Sequence, residues 1–142
     1  MNNKEEIIVV ASGYFDPLHV GHLENLELAK ELGDKLIVII NNDKQAALKK
    51  GKSYMSEKDR MKIISSLKVV DDVVLSIDED KSICKTLEMI KPHIFAKGGD
   101  RHAREIPEGE ICKKYNIKII DGLGKKIRAS SDILKEIEKD LN

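Results

Sequence analysis

The amino-acid sequence predicts an α/β fold in which helices cover both faces of one parallel sheet, a doubly wound arrangement. Strand-like runs such as Leu36–Ile40 (LIVII) are short, β-branched and continuously apolar, which is typical of parallel strands buried on both faces. Segments with helical spacing lie between consecutive runs, as in strand–helix units. The chain has 142 residues, about the size of one domain. We therefore interpret residues 1–142 as a single domain.

The elements follow in order along the chain. β-branched runs indicate the strands, and apolar residues at helical spacing indicate the helices. Gly33 follows the first helix, Ser56 with Asp59 three residues later precedes the second, and Pro92 closes the third. No element is predicted within residues 41–52. Together the strands form a five-stranded, Rossmann-like sheet. The predicted strands are Ile7–Ala11, Leu36–Ile40, Val73–Ile77, Ile94–Ala96 and Ile117–Ile120, and the helices lie around Leu23–Leu32, Met61–Leu67, Ser82–Ile90, Glu108–Tyr115 and Ser130–Leu141.

Composition and charge argue against several classes of function. The 25 Lys and Arg residues balance 25 Asp and Glu residues, which disfavours a general nucleic-acid coat or a polybasic membrane binder. Aromatic residues make up only 4% of the chain, so platforms that stack single-stranded bases are not expected. Cys84 and Cys112 are too few for a disulfide scaffold or a four-cysteine zinc site. No run could span a membrane, and the polar start (MNNKEE) predicts no signal peptide. We expect a cytoplasmic protein that binds neither nucleic acid nor membrane.

The most informative segment is Ser12–His22 (SGYFDPLHVGH), which joins the first strand to the first helix. Ligands of doubly wound folds bind beyond the carboxyl ends of the strands, where this segment lies. Gly13 lets the backbone approach a ligand, and Gly21 leaves room for one against the helix N-terminus, where free N–H groups favour phosphate. His19 and His22 can face the same anion and stabilise charge that grows in a transition state. A metal site is the alternative for two histidines, but no third ligand is evident nearby.

This segment matches the pattern G-x-F-D-x-x-H-x-G-H and therefore resembles the cytidylyltransferase-like nucleotidyltransferases, whose motif stands at the same place. The resemblance extends from Ile7 to about Leu134. The stretch Lys97–Asp100 (KGGD) is similar to one in the adenylyltransferase domain of the bacterial ADP-heptose synthesis enzymes, which favours ATP and a sugar phosphate. Further matching stretches are Lys30–Val38, Asn41–Asp43, Gly51–Ser53, Arg60 and Arg128–Ile133.

The resemblance implies an enzyme that joins a nucleoside triphosphate, with ATP favoured, to a phosphorylated sugar or alcohol and releases pyrophosphate. It implies Mg²⁺ bound with the nucleotide through few protein ligands, with no residue assigned as a metal site, and a homodimer. His19, His22 and Lys52 are the implied catalytic residues, and Lys49 and Arg60 would hold the acceptor phosphate. The implied nucleotide-binding residues are Gly13, Tyr14, Phe15, Asp16, His19, Gly21, His22, Gly98, Asp100, Ser130 and Ser131.

Several alternatives stay open at this point. Lys49, Lys50 or Lys52 could supply the cation over the phosphates, with Lys52 preferred. Asp16 could orient the metal ion or hold the loop through backbone N–H groups. The substrates could instead be CTP with glycerol 3-phosphate or another phospho-alcohol, or ATP with FMN. A nucleotide-binding module without turnover is an alternative of a different class. The intact histidine pair argues against it, because a binder needs no contacts to a transition state.

Overall fold

The computed structural model describes residues 5–98 and 106–123, which contain five strands and five helices. One helix joins each pair of consecutive strands, except that two helices lie between the second and third strands. The strands are β1 (Ile8–Gly13), β2 (Lys35–Ile40), β3 (Asp72–Leu75), β4 (Ile94–Gly98) and β5 (Lys118–Leu123). The helices are α1 (Val20–Lys30), α2 (Asp43–Lys50), α3 (Glu57–Ser65), α4 (Cys84–Ile90) and α5 (Gly109–Lys114). The strands form one sheet in the order β3-β2-β1-β4-β5, and every neighbouring pair is parallel. The doubly wound, five-stranded, Rossmann-like sheet predicted from the sequence is confirmed.

Alternate residues of the two central strands enter separate cores on the two faces of the sheet. Val9 and Ala11 of β1 face the core formed with α1 and α3, whereas Val10 faces the core formed with α4 and α5. Strand β2 divides in the same way, with Val38 on the first side and Ile39 on the second. All five residues are buried. This two-sided burial explains why the strands are continuously apolar in the sequence.

Helix α2 departs from the sequence prediction, which left residues 41–52 without an element. The side chain of Asn42 accepts the N–H of Gln45 at 2.8 Å, while the Gln45 side chain accepts the N–H of Asn42 at 3.0 Å. These reciprocal bonds satisfy amides that a helix start leaves open. Gly51 ends the helix with a left-handed φ of 83° and donates to the Ala47 carbonyl. The sequence of α2 (DKQAALKK) has few apolar residues, so the capping residues Asn42 and Gly51 were the only clear sequence signal for this helix.

The other predicted elements within the described residues are present with shifted ends. Ser56 caps α3 as predicted, because its Oγ accepts the N–H of Asp59 at 3.2 Å. Strand β3 ends at residue 75 rather than 77, where the chain enters a buried network in which Thr86 Oγ1 donates to the Asp78 carboxylate at 2.6 Å. The helix predicted at Ser130–Leu141 lies outside the described residues.

The strand order places a topological switch point between β1 and β4. The chain leads from β1 outward through β2 to β3, and then returns to β4 on the other side of β1. Ligand crevices of doubly wound sheets lie at such points, beyond the carboxyl ends of the strands. Here those ends are residues 12–13 of β1 and 97–98 of β4. The sequence segment with the histidine pair follows the first of them directly.

Candidate active site

Two cavities lie at the switch point and share one wall. The first, which we call the histidine cavity, has a volume of about 500 Å³. The second, which we call the Glu108 cavity, has a volume of about 560 Å³. Because they share lining residues, a group bound in one cavity can reach a group bound in the other. The shared wall consists of Ser12, Gly13, Tyr14, Lys49 and Lys97. The remaining lining of the histidine cavity is Phe15, Asp16, Pro17, His19, His22, Asn25, Lys50, Ala96 and Gly98, and that of the Glu108 cavity is Asn41, Asp80, Lys81, Ser82, Ile83, Phe95, Pro107 and Glu108.

The two histidines stand together at the start of α1. The rings of His19 and His22 stack with their centroids 3.7 Å apart and their planes at 21°. The ring of Phe15 contacts His22 edge-on, with centroids 5.1 Å apart. Phe15 is itself 5% exposed and belongs to the core on the α1 face. The pair that the sequence spacing predicted is therefore brought together on a rigid support.

The hydrogen bonds of the two rings assign their protons. The backbone N–H of His19 donates to His22 Nδ1 at 3.2 Å, and that of Gly21 donates to His19 Nδ1 at 3.1 Å. With Nδ1 accepting, a neutral ring carries its proton on Nε2. Burial, reinforced by the neighbouring His19, lowers the pKa of His22 from 6.5 to about 4. At neutral pH His22 is thus an uncharged Nε2–H donor, a group suited to bonding phosphoryl oxygens.

The helix start at Gly21, where the sequence analysis expected room for a ligand and free N–H groups, does not offer the Gly21 amide to an anion. The N–H of Gly21 is bonded to His19 Nδ1, and the residue is buried and absent from the lining of both cavities. The physical reason is that His19 is the N-cap of α1. A capping side chain uses amides that the helix start would otherwise offer to an anion. The imidazoles, rather than the Gly21 amide, are the donors on this side of the histidine cavity.

Gly13 is required by the close approach of Phe15. A Cβ on Gly13 would lie 2.9 Å from Phe15 Cζ, which is closer than real Cβ contacts. Phe15 has a left-handed φ of 51°, so the chain turns sharply after Tyr14. The turn leaves Gly13, Tyr14 and Phe15 along the histidine cavity, where the sequence analysis placed nucleotide-binding backbone.

Asp16 holds this loop to the segment that precedes α3. Its carboxylate accepts the backbone N–H groups of Tyr54 at 2.8 Å and Met55 at 2.7 Å, and Lys50 Nζ lies 3.1 Å from it. Burial alone would raise the pKa of Asp16, but these donors outweigh burial and lower the pKa below its ordinary value of 3.8. Both carboxylate oxygens accept backbone bonds. Of the two roles left open for Asp16, the geometry matches the one that holds the loop.

The structure brings Lys49, and not Lys52, to the cavities. Lys49 lines both of them, and its Nζ lies 4.5 Å from the centre of the Tyr14 ring. Lys52, the preferred cation of the sequence analysis, has its Nζ 5.3 Å from the centre of the Tyr54 ring and lines neither cavity. Helix α2 explains this correction, because Lys49 lies on the helix and Lys52 lies beyond the turn at Gly51.

Arg60 is a structural residue, and its predicted role as an acceptor-phosphate ligand is corrected. Its side chain is fully buried. The guanidinium donates to the carbonyls of Met55 at 3.0 Å, Tyr14 at 2.9 Å and Asn41 at 2.6 Å. It also donates to the Asp43 carboxylate at 2.7 Å. A guanidinium has five N–H donors, and four of them are engaged in these bonds. The side chain therefore ties the ends of β1 and β2 to α3 and has no face left for a phosphate.

Asn25, Lys97 and Glu108 are among the lining residues that the sequence analysis did not predict as members of the site. Asn25 follows His22 by three residues on α1, so helical spacing was the signal that could have identified it. A Cβ on Gly98 would lie 2.5 Å from Asn25 Nδ2, so Gly98 is the residue that leaves space for this amide. Lys97 directly follows the apolar run of β4 and lies at a carboxyl end of the sheet. Glu108 is far from the motif in the sequence, and no local sequence pattern identifies it as a site residue.

Other predicted features lie outside the described residues or depend on ligands. Asp100, Ser130 and Ser131, predicted to bind the nucleotide, are outside the described residues. Within residues 5–98 and 106–123, no group of three or more His, Cys, Asp or Glu side chains could hold a metal ion. No helix in the same ranges is long and apolar enough to cross a bilayer.

Residues 10–136 match the family model described as cytidylyltransferase-like. The chain belongs to this family. The matched region contains the histidine pair and the described lining of both cavities. The resemblance noted in the sequence is thus confirmed, and the chain is placed among the nucleotidyltransferases.

Two kinds of relatives are similar to this cytidylyltransferase-like chain. It is 43% identical over 110 residues to an FAD synthase of Ferroglobus placidus, and the aligned region covers 78% of this chain and 70% of that protein. It is 34% identical over 142 residues to the bifunctional protein HldE of Aliarcobacter butzleri, covering 98% of this chain. The chain spans only 28% of that HldE protein. Among solved structures it resembles the lipopolysaccharide core biosynthesis protein from Thermoplasma volcanium GSS1, with a TM-score of 0.70 and 35% identity over 82% of this chain and 96% of that one.

Proposed function

We propose that the protein is an adenylyltransferase that joins ATP to a phosphorylated sugar or alcohol and releases pyrophosphate. The pair of adjoining cavities carries the proposal, since one is lined by the histidine pair and the second opens from a shared wall. Two substrates could therefore bind side by side and react across that wall. Family membership supports nucleotide transfer, and the FAD synthase relative supports ATP as the nucleotide.

In the proposed reaction, an oxygen of the acceptor phosphate attacks the α-phosphorus of ATP. The bond from that phosphorus to the bridging oxygen breaks, and pyrophosphate leaves with the electron pair. The attacking oxygen is already anionic, so positioning and charge stabilisation are sufficient and no covalent enzyme intermediate is needed. His19 and His22 would donate from Nε2 to phosphoryl oxygens. Lys49 and Lys97, on the shared wall, would neutralise charge where the two substrates meet.

Mg²⁺ enters this proposal as a partner of the triphosphate. The described residues contain no acidic cluster for it, and Asp16 is engaged by the amides of Tyr54 and Met55. These observations fit an ion held by triphosphate oxygens and water, which Mg²⁺ commonly prefers. A homodimer and a cytoplasmic location are further parts of the proposal. The first rests on the family resemblance, and free thiols at Cys84 and Cys112 support the second.

FMN is the second candidate acceptor, and a specific observation favours it. The FAD synthase of Ferroglobus placidus shares 43% identity over 110 residues with this chain. Synthesis of FAD from FMN uses the same bond changes at the α-phosphorus, with the FMN phosphate as the attacking group. The two candidates therefore share the histidine cavity and differ only in what the neighbouring cavity binds.

Pyrophosphate release tests the proposal and separates the candidates. ATP, CTP, GTP and UTP are each combined with a heptose 1-phosphate, mannose 1-phosphate, glycerol 3-phosphate and FMN in the presence of Mg²⁺. We expect kcat/KM with ATP to exceed that with CTP by at least about tenfold, or about 1.4 kcal/mol. Turnover with none of the combinations would refute the proposal, and a preference for CTP would reverse the nucleotide assignment.

A variant of the histidine pair separates catalysis from binding. His22→Ala should lower kcat by roughly 10²–10³-fold, the usual cost of removing one donor to transition-state charge. The Kd for ATP should change far less, because such contacts strengthen mainly in the transition state. Lys52→Ala is the matched control, since Lys52 lines neither cavity. If affinity collapses while the rate at saturating ATP is retained, His22 only binds the nucleotide.

A further inference from the structure

The Glu108 cavity contains a buried carboxylate that the proposed reaction does not use. Glu108 is 6% exposed and lines this cavity alone. Its Oε2 accepts the backbone N–H of Ile83 at 2.9 Å. None of the described residues donates to Oε1. Among the described residues no fully enclosed side-chain oxygen or nitrogen lacks a hydrogen bond, so Oε1 is accessible from the cavity that Glu108 lines.

The charged residues that line this cavity fall into two groups, those on the shared wall and those found in this cavity alone. Lys49 and Lys97 belong to the wall shared with the histidine cavity, where the reacting phosphates would meet. Glu108 lines only the second cavity, where burial and, to a smaller extent, the charge of Glu108 raise the pKa of the neighbouring Tyr14 on the shared wall. Asp80 and Lys81 also line that part, but both are exposed and their charges are opposite. The cavity therefore has lysines on the shared wall and a buried carboxylate, Glu108, in the part that it does not share.

This polarity selects for one kind of acceptor. A phosphate group is attracted to the shared wall, whereas a second anionic group beside Glu108 would be repelled. A hydroxyl group there would donate to Oε1 and form a hydrogen bond strengthened by the carboxylate charge. An acceptor without hydroxyl groups would displace water and leave Oε1 without a donor, an arrangement that disfavours binding.

We propose that Glu108 selects the acceptor by accepting hydrogen bonds from the hydroxyl groups of a polyhydroxylated phosphate monoester. The chemistry is shared by sugar phosphates and by the ribityl chain of FMN. Because the Ile83 amide holds Oε2, Oε1 has a fixed position from which to recognise a hydroxyl group. The inference rests on the proposed function and adds to it a substrate class and a specificity-determining residue.

The test compares Glu108→Gln with Glu110→Gln. The first variant keeps the size of the side chain and an oxygen for the Ile83 amide, but it removes the negative charge. Glu110 lies on α5 and is exposed, so its variant is the matched control. Calorimetry measures Kd for mannose 1-phosphate, FMN and inorganic phosphate, each with a non-hydrolysable ATP analogue and Mg²⁺ present.

Glu108→Gln should weaken binding of the polyhydroxylated probe that wild type prefers by about tenfold or more, the loss expected for a hydrogen bond to a charged group. Inorganic phosphate and the ATP analogue should change less than about twofold, and Glu110→Gln should leave every Kd unchanged. A loss confined to mannose 1-phosphate identifies a sugar phosphate as the acceptor. A loss confined to FMN identifies the ribityl chain.

Two results would overturn the inference. One is a Glu108→Gln protein that binds mannose 1-phosphate and FMN as wild type does. The other is a wild-type protein that binds neither probe more tightly than inorganic phosphate. In both cases the proposed function survives if wild type still releases pyrophosphate, and it fails separately if no acceptor supports release. Should Glu108→Gln fail to fold, Glu108→Asp keeps the charge but withdraws it by one methylene, and the same selective loss is then required.

Discussion

Replacing Arg60 by Met should destabilise the whole fold. The variant keeps a long side chain at a fully buried position, but it removes the donors to three carbonyls and to Asp43. Removing one member of a buried charged network costs about 3–5 kcal/mol. The Asp43 side chain is 43% exposed, so water can replace its bond, and we expect a loss of about 3 kcal/mol. For a domain of this size, that corresponds to a fall in Tm of about 6–12 °C.

Urea denaturation followed by circular dichroism measures the free energy of unfolding directly. Arg60→Lys keeps the charge but loses the planar fork, so its stability should lie between those of wild type and Arg60→Met. Lys58→Met, at an exposed position of the same helix, should stay within about 0.5 kcal/mol of wild type. If Arg60→Met unfolds at the wild-type urea concentration while KM for the acceptor rises tenfold or more, Arg60 is a phosphate ligand and the structural assignment is wrong.

Three further predictions follow from the same geometry. The imidazole of His22 should titrate near pH 4 by NMR. Stability should fall as the pH drops from about 6.5 toward 4, because the unfolded chain takes up that proton first; a midpoint near 6.5 would contradict the burial argument. Gly33→Ala should cost about 1–3 kcal/mol in urea denaturation, because the added Cβ would lie 2.8 Å from the Ile7 carbonyl oxygen and 2.7 Å from Val9 Cγ2; wild-type stability would refute this packing. Asp16→Asn should be less stable than wild type at pH 7 and should lose less stability on acidification. The lowered pKa of Asp16 stabilises the folded wild type above about pH 4, and that contribution disappears as the pH falls through the pKa of the folded state. Thermal unfolding between pH 7 and 3 checks it, and parallel curves for the two proteins would count against the prediction.

The order of strands and helices could be predicted because a strand that is buried on both faces has a continuous run of apolar residues in the sequence. Val9, Val10 and Ala11 are all buried although they face different cores, and such a run is recognisable without any tertiary information. Helix α2 could not be found in this way, since most of its residues are polar and only Ala46 and Gln45 are buried. Its stability depends on caps and on contacts made elsewhere, such as the bonds from the Gln45 side chain to the Asp80 and Ser82 carbonyls.

The histidine pair was predictable for a related reason, because its spacing and helix start are encoded within a few residues. The roles of Arg60 and Lys49 were not, since they depend on where α2 and α3 pack. A surface guanidinium and a buried one are identical in sequence, and only the four acceptors around Arg60 distinguish them. Glu108 illustrates the same limit, because a carboxylate becomes specific only through the cavity that it lines.

The bonds of Asp16 and Arg60 have a consequence for how the motif can be used. Asp16 is bound to an amide 38 residues away, and Arg60 to a carbonyl 46 residues away. Closing segments of that length carries an entropic cost that the first strand and helix cannot meet alone. A peptide or graft that ends before residue 54 would contain both histidines but neither bond that holds their loop. Transplanting the histidine loop into another protein therefore requires the chain through residue 60, although the motif itself ends at residue 22.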